Sequence, residues 1–464
     1  MVSEWGLPLY CVSNATGPPK FAHLIDNSAA NLQTHIVTAL VQPGIVGPAA
    51  RRPRSPLKEK NVLEPSSQYK QYRSYEYLEA GVDYLDIPMA KEVGRVPEYA
   101  GLDLSSEQAA RTERLLRDNL VISLHDHPSV FPENLSRDMR AYIRTGREHT
   151  GYDGLSRSGM TAVFDNVMDG TCCISSEGGW KWLDVLHDLG MRMSDLAHQD
   201  YLVKAESLRD IRDAHVESRM ALVFGLEAAT MIENEVDRLD ILYGFGVRQI
   251  GIAYSEANYL GSGLKERRDG GLTYFGERAV ARMNKLGFAI DISHSGDVTS
   301  MDVIKASTKP IFMTHCGSRE VWPINRMKPD AVIKAMAERG GVIGLEAAPH
   351  TTLSEAHPAH SLESVMDHFT HLVDVVGIDH VAFGPDTLFG DHVGLHDTFN
   401  TNLSIGQAHG SVSFEKQPYV DGLENPGECF YNIIGWLVAH DYSDSEISAV
   451  VGGNIVRVLE EVWV

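Results

Sequence analysis

The sequence predicts an α/β fold, a (β/α)8 barrel of the TIM type carrying an amino-terminal extension and added carboxy-terminal helices. Three observations predict it. Eight short apolar runs of strand character alternate with amphipathic helical stretches. Reactive side chains recur at the same end of those runs, where the loops of a parallel barrel converge. No glycine-rich fingerprint follows the first run, which counts against an open dinucleotide-binding sheet.

The elements follow in chain order. Residues 1–70 carry a Gly17-Pro18-Pro19 break, a basic stretch around Arg51-Arg52-Pro53-Arg54 and little periodicity, and are expected to form an arm outside a 71–464 body. Two helical patterns are expected between residues 70 and 118, the second over Ser105–Arg117 behind a Ser105-Ser106-Glu107 start. Strands are expected at Leu120–Leu124, Thr161–Phe164, Ala221–Leu226, Gln249–Ala253, Phe288–Ile292, Pro310–Met313, Gly341–Leu345 and His380–Phe383. Helices are expected between most of them, at Trp180–Leu189, Glu277–Leu286, Val298–Ala306, Pro329–Arg339 and Ser361–Val376. Two more, at about residues 427–440 and 444–461, flank an N-cap region at Asp441-Tyr442-Ser443-Asp444.

Composition bounds the function. A 43% hydrophobic, 22% charged chain can bury a core, which excludes a disordered or collagen-like protein. Its net charge of −22 argues against a surface that tracks nucleic-acid phosphates. Five cysteines (Cys11, Cys172, Cys173, Cys316 and Cys429), an odd number without CxxC spacing, disfavour a disulfide framework or thiolate zinc site. No apolar run approaches membrane-spanning length and no secretion signal is visible, so the expected address is cytoplasmic, without a membrane partner. Oligomeric state is not legible, and a homo-oligomer stays open.

The strand ends carry the chemistry. The first run leads into His125-Asp126-His127-Pro128, and residues two apart on a strand point the same way, so His125 and His127 can face one metal. The third run ends in Glu227, the fifth in His294, the sixth in His315, and the eighth leads to Gly384-Pro385-Asp386. A lone histidine after an apolar run is more often a structural residue. Recurrence at one end of five runs is what turns the expectation to a two-metal site bridged by a carboxylate. The seventh run ends in Gly344-Leu345-Glu346, nearly repeating Gly225-Leu226-Glu227. Spacing does not choose between the glutamates, and Glu346 is assigned a supporting or substrate-side place.

These residues resemble the renal (membrane) dipeptidase family of zinc hydrolases, within the amidohydrolase superfamily. The similar stretches cover about residues 105–400. The most specific are Gly271-Leu272-Thr273-Tyr274-Phe275-Gly276, Met283-Asn284-Lys285-Leu286-Gly287, Ile290-Asp291-Ile292-Ser293-His294 and Thr314-His315-Cys316-Gly317-Ser318-Arg319. The resemblance implies two zinc ions bridged by a glutamate and a hydroxide. Carried over by position, it puts His125 and His127 on one ion, His294 and His315 on the other, and Glu227 between them. It gives Asp386 the proton transfers at the scissile bond, and Arg326, in Asn325-Arg326-Met327-Lys328, the grip on the substrate's terminal carboxylate.

Three departures from the family pattern surround the substrate. His-x-Asp becomes His125-Asp126-His127, the substrate-orienting histidine is replaced by Tyr254, and the last signature becomes Gly384-Pro385-Asp386-Thr387-Leu388-Phe389-Gly390. The resemblance therefore implies a binuclear metal hydrolase acting on a dipeptide or small N-acyl amino acid. A non-peptide amide, ester or lactone is the alternative substrate class, and a catalytically silent binding barrel the alternative from another class. Whether Glu346 or His392 joins the site is left open.

Overall fold

A computed structural model describes residues 63–145, 147–166, 180–349, 351–402 and 417–463. The expectations on residues 1–62, including Cys11, and on Cys172 and Cys173 lie outside these residues. The barrel is built from β1 (Ile122–Asp126), β2 (Ala162–Asn166), β3 (Met220–Leu226), β4 (Val247–Gly251), β5 (Ala289–Asp291), β6 (Phe312–Cys316), β7 (Val342–Leu345) and β8 (Val381–Phe383). They pair in sequence order and all in parallel, with a short strand, Leu202–Lys204, added beside the start of β3. Each expected strand is found, shifted by one to three residues, and β1, β2 and β6 extend further toward the site than expected.

Alternation along the strands sorts side chains into two apolar layers. Ile122, Leu124, Phe164, Val223, Phe312 and Val342 fill the barrel with Ile455, Val458, Leu459 and Val462 of the last helix, which plugs one end. Val163, Leu222, Phe224 and Ile343 belong to the larger core beneath the surrounding helices. Burying one such Leu, Ile, Val or Phe is worth about 1.5–3 kcal/mol. The plugging helix, expected as one stretch over residues 444–461, is broken. Asp444–Ser448 and Asn454–Val462 flank a π turn at Ala449–Gly453. Asn454 then donates to the carbonyls of Ile378 and Val381, each at 2.8 Å, tying the plug to β8.

Around the barrel, helices run over Trp182–Leu196, Tyr274–Leu286, Asp297–Ala306, Asp330–Ala337 and Leu362–Val376, close to the expected spans except that the first continues past Leu189 to Leu196. Ser105 caps the helix Ser106–Asp118 in a capping box completed by Gln108 rather than Glu107. The other helix expected before residue 118 is absent: described residues 63–105 form turns and isolated bridges. Gly81, Pro88, Gly94, Pro97 and Gly101 interrupt any helix there. Tertiary hydrogen bonds hold the segment instead. Buried Asp195 accepts from Tyr72 Oη, Ser74 Oγ and the Tyr75 amide, each at 2.7 Å, and from Tyr152 Oη at 2.9 Å.

The barrel is nearly closed, and the closure shapes the site. The chain beyond β8 lies along the chain beyond β1: the Asp386 amide donates to the His125 carbonyl (2.9 Å) and the His127 amide to the Thr387 carbonyl (2.8 Å). Asp126 locks this seam by accepting from the Thr387 amide (2.8 Å) and hydroxyl (2.7 Å), and from Ser123 Oγ (2.6 Å). Gly384 is required here, because a Cβ would stand 2.0 Å from the Thr314 carbonyl oxygen and 3.0 Å from the His125 nitrogen.

Candidate metal centre

Six predicted residues meet at the carboxyl rim of the barrel. The register of β1 shifts between Ser123 and Asp126, a bulge of the kind that re-aims side chains. His125 and His127 end up on one side with their Nε2 atoms 3.2 Å apart, while Asp126 faces the seam. Glu227 Oε1 lies 3.4 Å from His125 Nε2, 3.4 Å from His294 Nε2 and 3.2 Å from His315 Nε2. His294 and His315 bring their Nε2 atoms to 2.9 Å. Asp386 Oδ1 sits 3.0 Å from His127 Nε2 and 3.4 Å from His125 Nε2. All six side chains are buried.

Hydrogen-bond accounting shows that this cluster fits a cation. Thr314 Oγ1 lies 2.9 Å from Asp291 Oδ2, which can only accept, so the hydroxyl proton goes there. The same Oγ1, 2.8 Å from His315 Nδ1, must then accept the ring's N–H, leaving Nε2 a bare lone pair. Asn166 Nδ2 lies 2.5 Å from His125 Nδ1 and 3.4 Å from its Nε2, so this residue packs directly on that ring. The His315 lone pair faces Glu227 Oε1 across 3.2 Å, and the two repel unless a positive charge stands between them. Donors bound tetrahedrally at about 2.0–2.1 Å sit roughly 3.3 Å apart, which the observed 2.9–3.4 Å approaches. Two overlapping groups of three can hold an ion, His125 with His127 and Asp386 or His125 with Glu227 and His315; they share His125, and His294 is in neither.

Electrostatics agree with this donor set. Burial pushes the His294 and His315 imidazoles well below the usual range, and nearby Arg326 adds to both shifts. Burial also lowers His125. Neutral imidazole is the form that binds metal. For Asp386 burial acts upward, yet contacts with His125 and His127 win and hold its carboxyl well below the usual range. Asp386 also takes a left-handed φ of +60°, a conformation that Asp and Asn tolerate better than most side chains.

The two predicted substrate residues lie beside this centre. The Tyr254 ring stacks on His294, centroids 4.1 Å apart, and contacts Trp180 at 5.3 Å. Arg326 Nη2 donates to the His315 carbonyl at 2.8 Å and stands 2.5 Å from Glu346 Oε2. Glu346 is thus an ion-pair partner of Arg326 and belongs to neither metal group. His392 pairs with His396 one helical turn on, Nε2 to Nε2 3.1 Å, and also stays out of both groups. Asn166, two residues past the strand expected to end at Phe164, and the Asp291–Thr314 pair that orients His315 are not among the residues the sequence points to. Polar residues on extended strands were the available signal.

A parallel barrel with histidines and carboxylates gathered at its carboxyl rim has the amidohydrolase type of architecture. The family model for membrane dipeptidase (peptidase family M19) matches residues 110–402, and the chain belongs to this family. Among curated relatives, Dipeptidase aclJ of Aspergillus oryzae is 28% identical over 278 residues, 58% of this chain and 60% of that protein. Dipeptidase verJ of Clonostachys rogersoniana is 27% identical over 388 residues, 79% of this chain and 90% of the relative. With Dipeptidase tcpJ of Claviceps purpurea, as with aclJ, the match spans under two thirds of the relative's length, here 58%. The fold is shared with an amidohydrolase from Pseudomonas aeruginosa (TM-score 0.62, 24% identity, 76% of this chain, 99% of that one). It is shared too with a Rhodobacter sphaeroides metallo peptidase liganded with a phosphinate mimic of a dipeptide (TM-score 0.56, 20% identity, 74% and 99%).

Proposed function

We propose that this protein is a binuclear metal-dependent hydrolase that cleaves the amide bond of a dipeptide or small N-acyl amino acid. The observation that carries the reading is the buried convergence of four imidazole nitrogens and two carboxylates, with Glu227 Oε1 within 3.4 Å of three of the histidines. His125, His127, His294 and His315, with Glu227 between them, would hold two divalent ions. Zinc is the proposed metal, on the nitrogen and oxygen donors and their near-tetrahedral spacing. Such a pair, when bound, lowers the pKa of an attacking water and polarises the carbonyl before it.

The chain's own residues do the rest. Asp386 accepts the proton of the attacking water and returns it to the leaving nitrogen. Tyr254, held against His294, donates its hydroxyl to the oxyanion that develops on the carbonyl oxygen. Arg326 orients the end of the substrate beyond the scissile bond. We also propose a cytoplasmic address, supported by Cys316 and Cys429 being free and buried. No helix among the described residues is long and apolar enough to cross a membrane.

Metal analysis of the purified chain together with hydrolysis of a mixed dipeptide library tests the proposal. Two zinc ions per chain and released amino acids are expected. A chain that takes up no metal even on reconstitution overturns it.

A further inference from the structure

Arg326 is already occupied by a carboxylate from its own chain. Glu346 leaves the end of β7 fully buried, and its Oε2 lies 2.5 Å from Arg326 Nη2, in a pair whose side chains are 10% and 0% exposed. The hydroxyls of Thr351 and Thr352 both donate to Glu346 Oε1, so the carboxylate is held in place from behind. The pair is close but incompletely satisfied. Nη2 directs its hydrogen bond to the His315 carbonyl, and neither Arg326 Nη1 nor Glu346 Oε2 has a hydrogen-bond partner among the described residues. Nη1 is therefore a buried donor left unmet, beside a carboxylate oxygen engaged only by the ion pair. An unmet buried donor is costly and calls for a complementary group.

A free carboxylate is a poor complement. It can accept from Nη1 but has nothing to offer Oε2, and its charge is repelled by a carboxylate that already neutralises the arginine. A carboxamide offers both halves: its oxygen accepts from Nη1 and its N–H donates to Oε2. Building on the hydrolase reading above, we infer that Glu346 is a specificity-determining residue that turns the Arg326 subsite from a free carboxylate toward an uncharged carboxamide, so that the preferred substrates are amidated or further-extended peptides. The reaction itself is unchanged. Water's oxygen bonds to the scissile carbonyl carbon, the C–N bond breaks, and the proton passes to the leaving nitrogen.

The test compares kcat/KM for a panel of dipeptides as free acids and as terminal amides, with the metal-loaded wild type and Glu346→Gln. The wild type is expected to cleave the amides at least threefold better than the matched acids. In E346Q that ratio should fall tenfold or more, chiefly through KM, while metal content is unchanged. A wild-type ratio below threefold overturns the inference whatever the variant does, so the test survives a variant that fails to fold. A ratio unmoved in folded, metal-loaded E346Q overturns it too. Silence toward both series overturns the hydrolase reading instead.

Discussion

Replacing Thr314 by Val removes one oxygen from behind a proposed ligand and leaves every ligand in place. Thr314 Oγ1 stands between His315 Nδ1 (2.8 Å) and Asp291 Oδ2 (2.9 Å), so it fixes which ring nitrogen carries the proton. In the variant a buried imidazole N–H loses its acceptor, which costs about 1–3 kcal/mol. Asp291 Oδ1 keeps the Ser293 amide and hydroxyl and the residue-314 amide as donors, while Oδ2 gives up the Thr314 hydroxyl. If that cost falls on the metal-competent tautomer, metal affinity drops roughly 5- to 140-fold, in line with the ~10–100-fold typical of residues that orient metal ligands. Chelator competition measures the affinity, and turnover at saturating metal separates weak binding from damaged chemistry. Affinity within twofold of wild type would refute the tautomer argument and, with it, the claim that Nε2 of His315 is a bare lone pair.

Other predictions follow from the same geometry. Asp386→Asn keeps a residue that tolerates the +60° backbone but removes the proton acceptor, and should lower kcat by about 10²–10⁴-fold at unchanged metal content; near-normal turnover rules out the proton role. Stripping metal with a chelator should abolish activity and lower the melting temperature, because a ligand that binds only the folded state adds stability; an unchanged Tm in the stripped protein contradicts the site. Burial pushes the Glu92 carboxyl up to about 7, against hydrogen bonds from the Gly154 amide and others that act downward. Its folded pKa is raised, so the stability it lends is full below its unfolded pKa of about 4.5 and is lost as pH rises through about 7. Denaturant unfolding at pH 5 and pH 8 should show wild type losing more stability than Glu92→Gln, by up to about 3 kcal/mol less an allowance for partial exposure; equal losses dispose of the assignment.

Much of this molecule is local enough to read along the chain. Barrel strands declare themselves because side-chain direction alternates every residue, and each needs apolar neighbours on two faces. The proposed ligands were legible for the same reason: His125, Glu227, His294 and His315 stand where apolar runs stop, which is where a parallel barrel opens. Less local features were misjudged. Residues 71–105 hold enough apolar side chains to suggest a helix, yet Tyr72, Ser74 and Tyr75 at the start of the segment donate to Asp195, at least 120 positions away, in place of helical hydrogen bonds.

Sequence by itself determined the barrel, the order of its strands and the side chains at its rim, since each depends on a few neighbouring residues and on the parity of a strand. Tertiary structure alone decided how those side chains are used. It brought Asp126 to Thr387 across 261 positions, closing the seam that carries Asp386 to the histidines. It paired Arg326 with Glu346 rather than leaving the arginine open, and set Asn166 and Thr314 behind the imidazoles. Hydrogen bonds and ion pairs act over about 3 Å, and only the closed barrel brings residues from β1, β2, β6, β7 and the loops beyond within that reach.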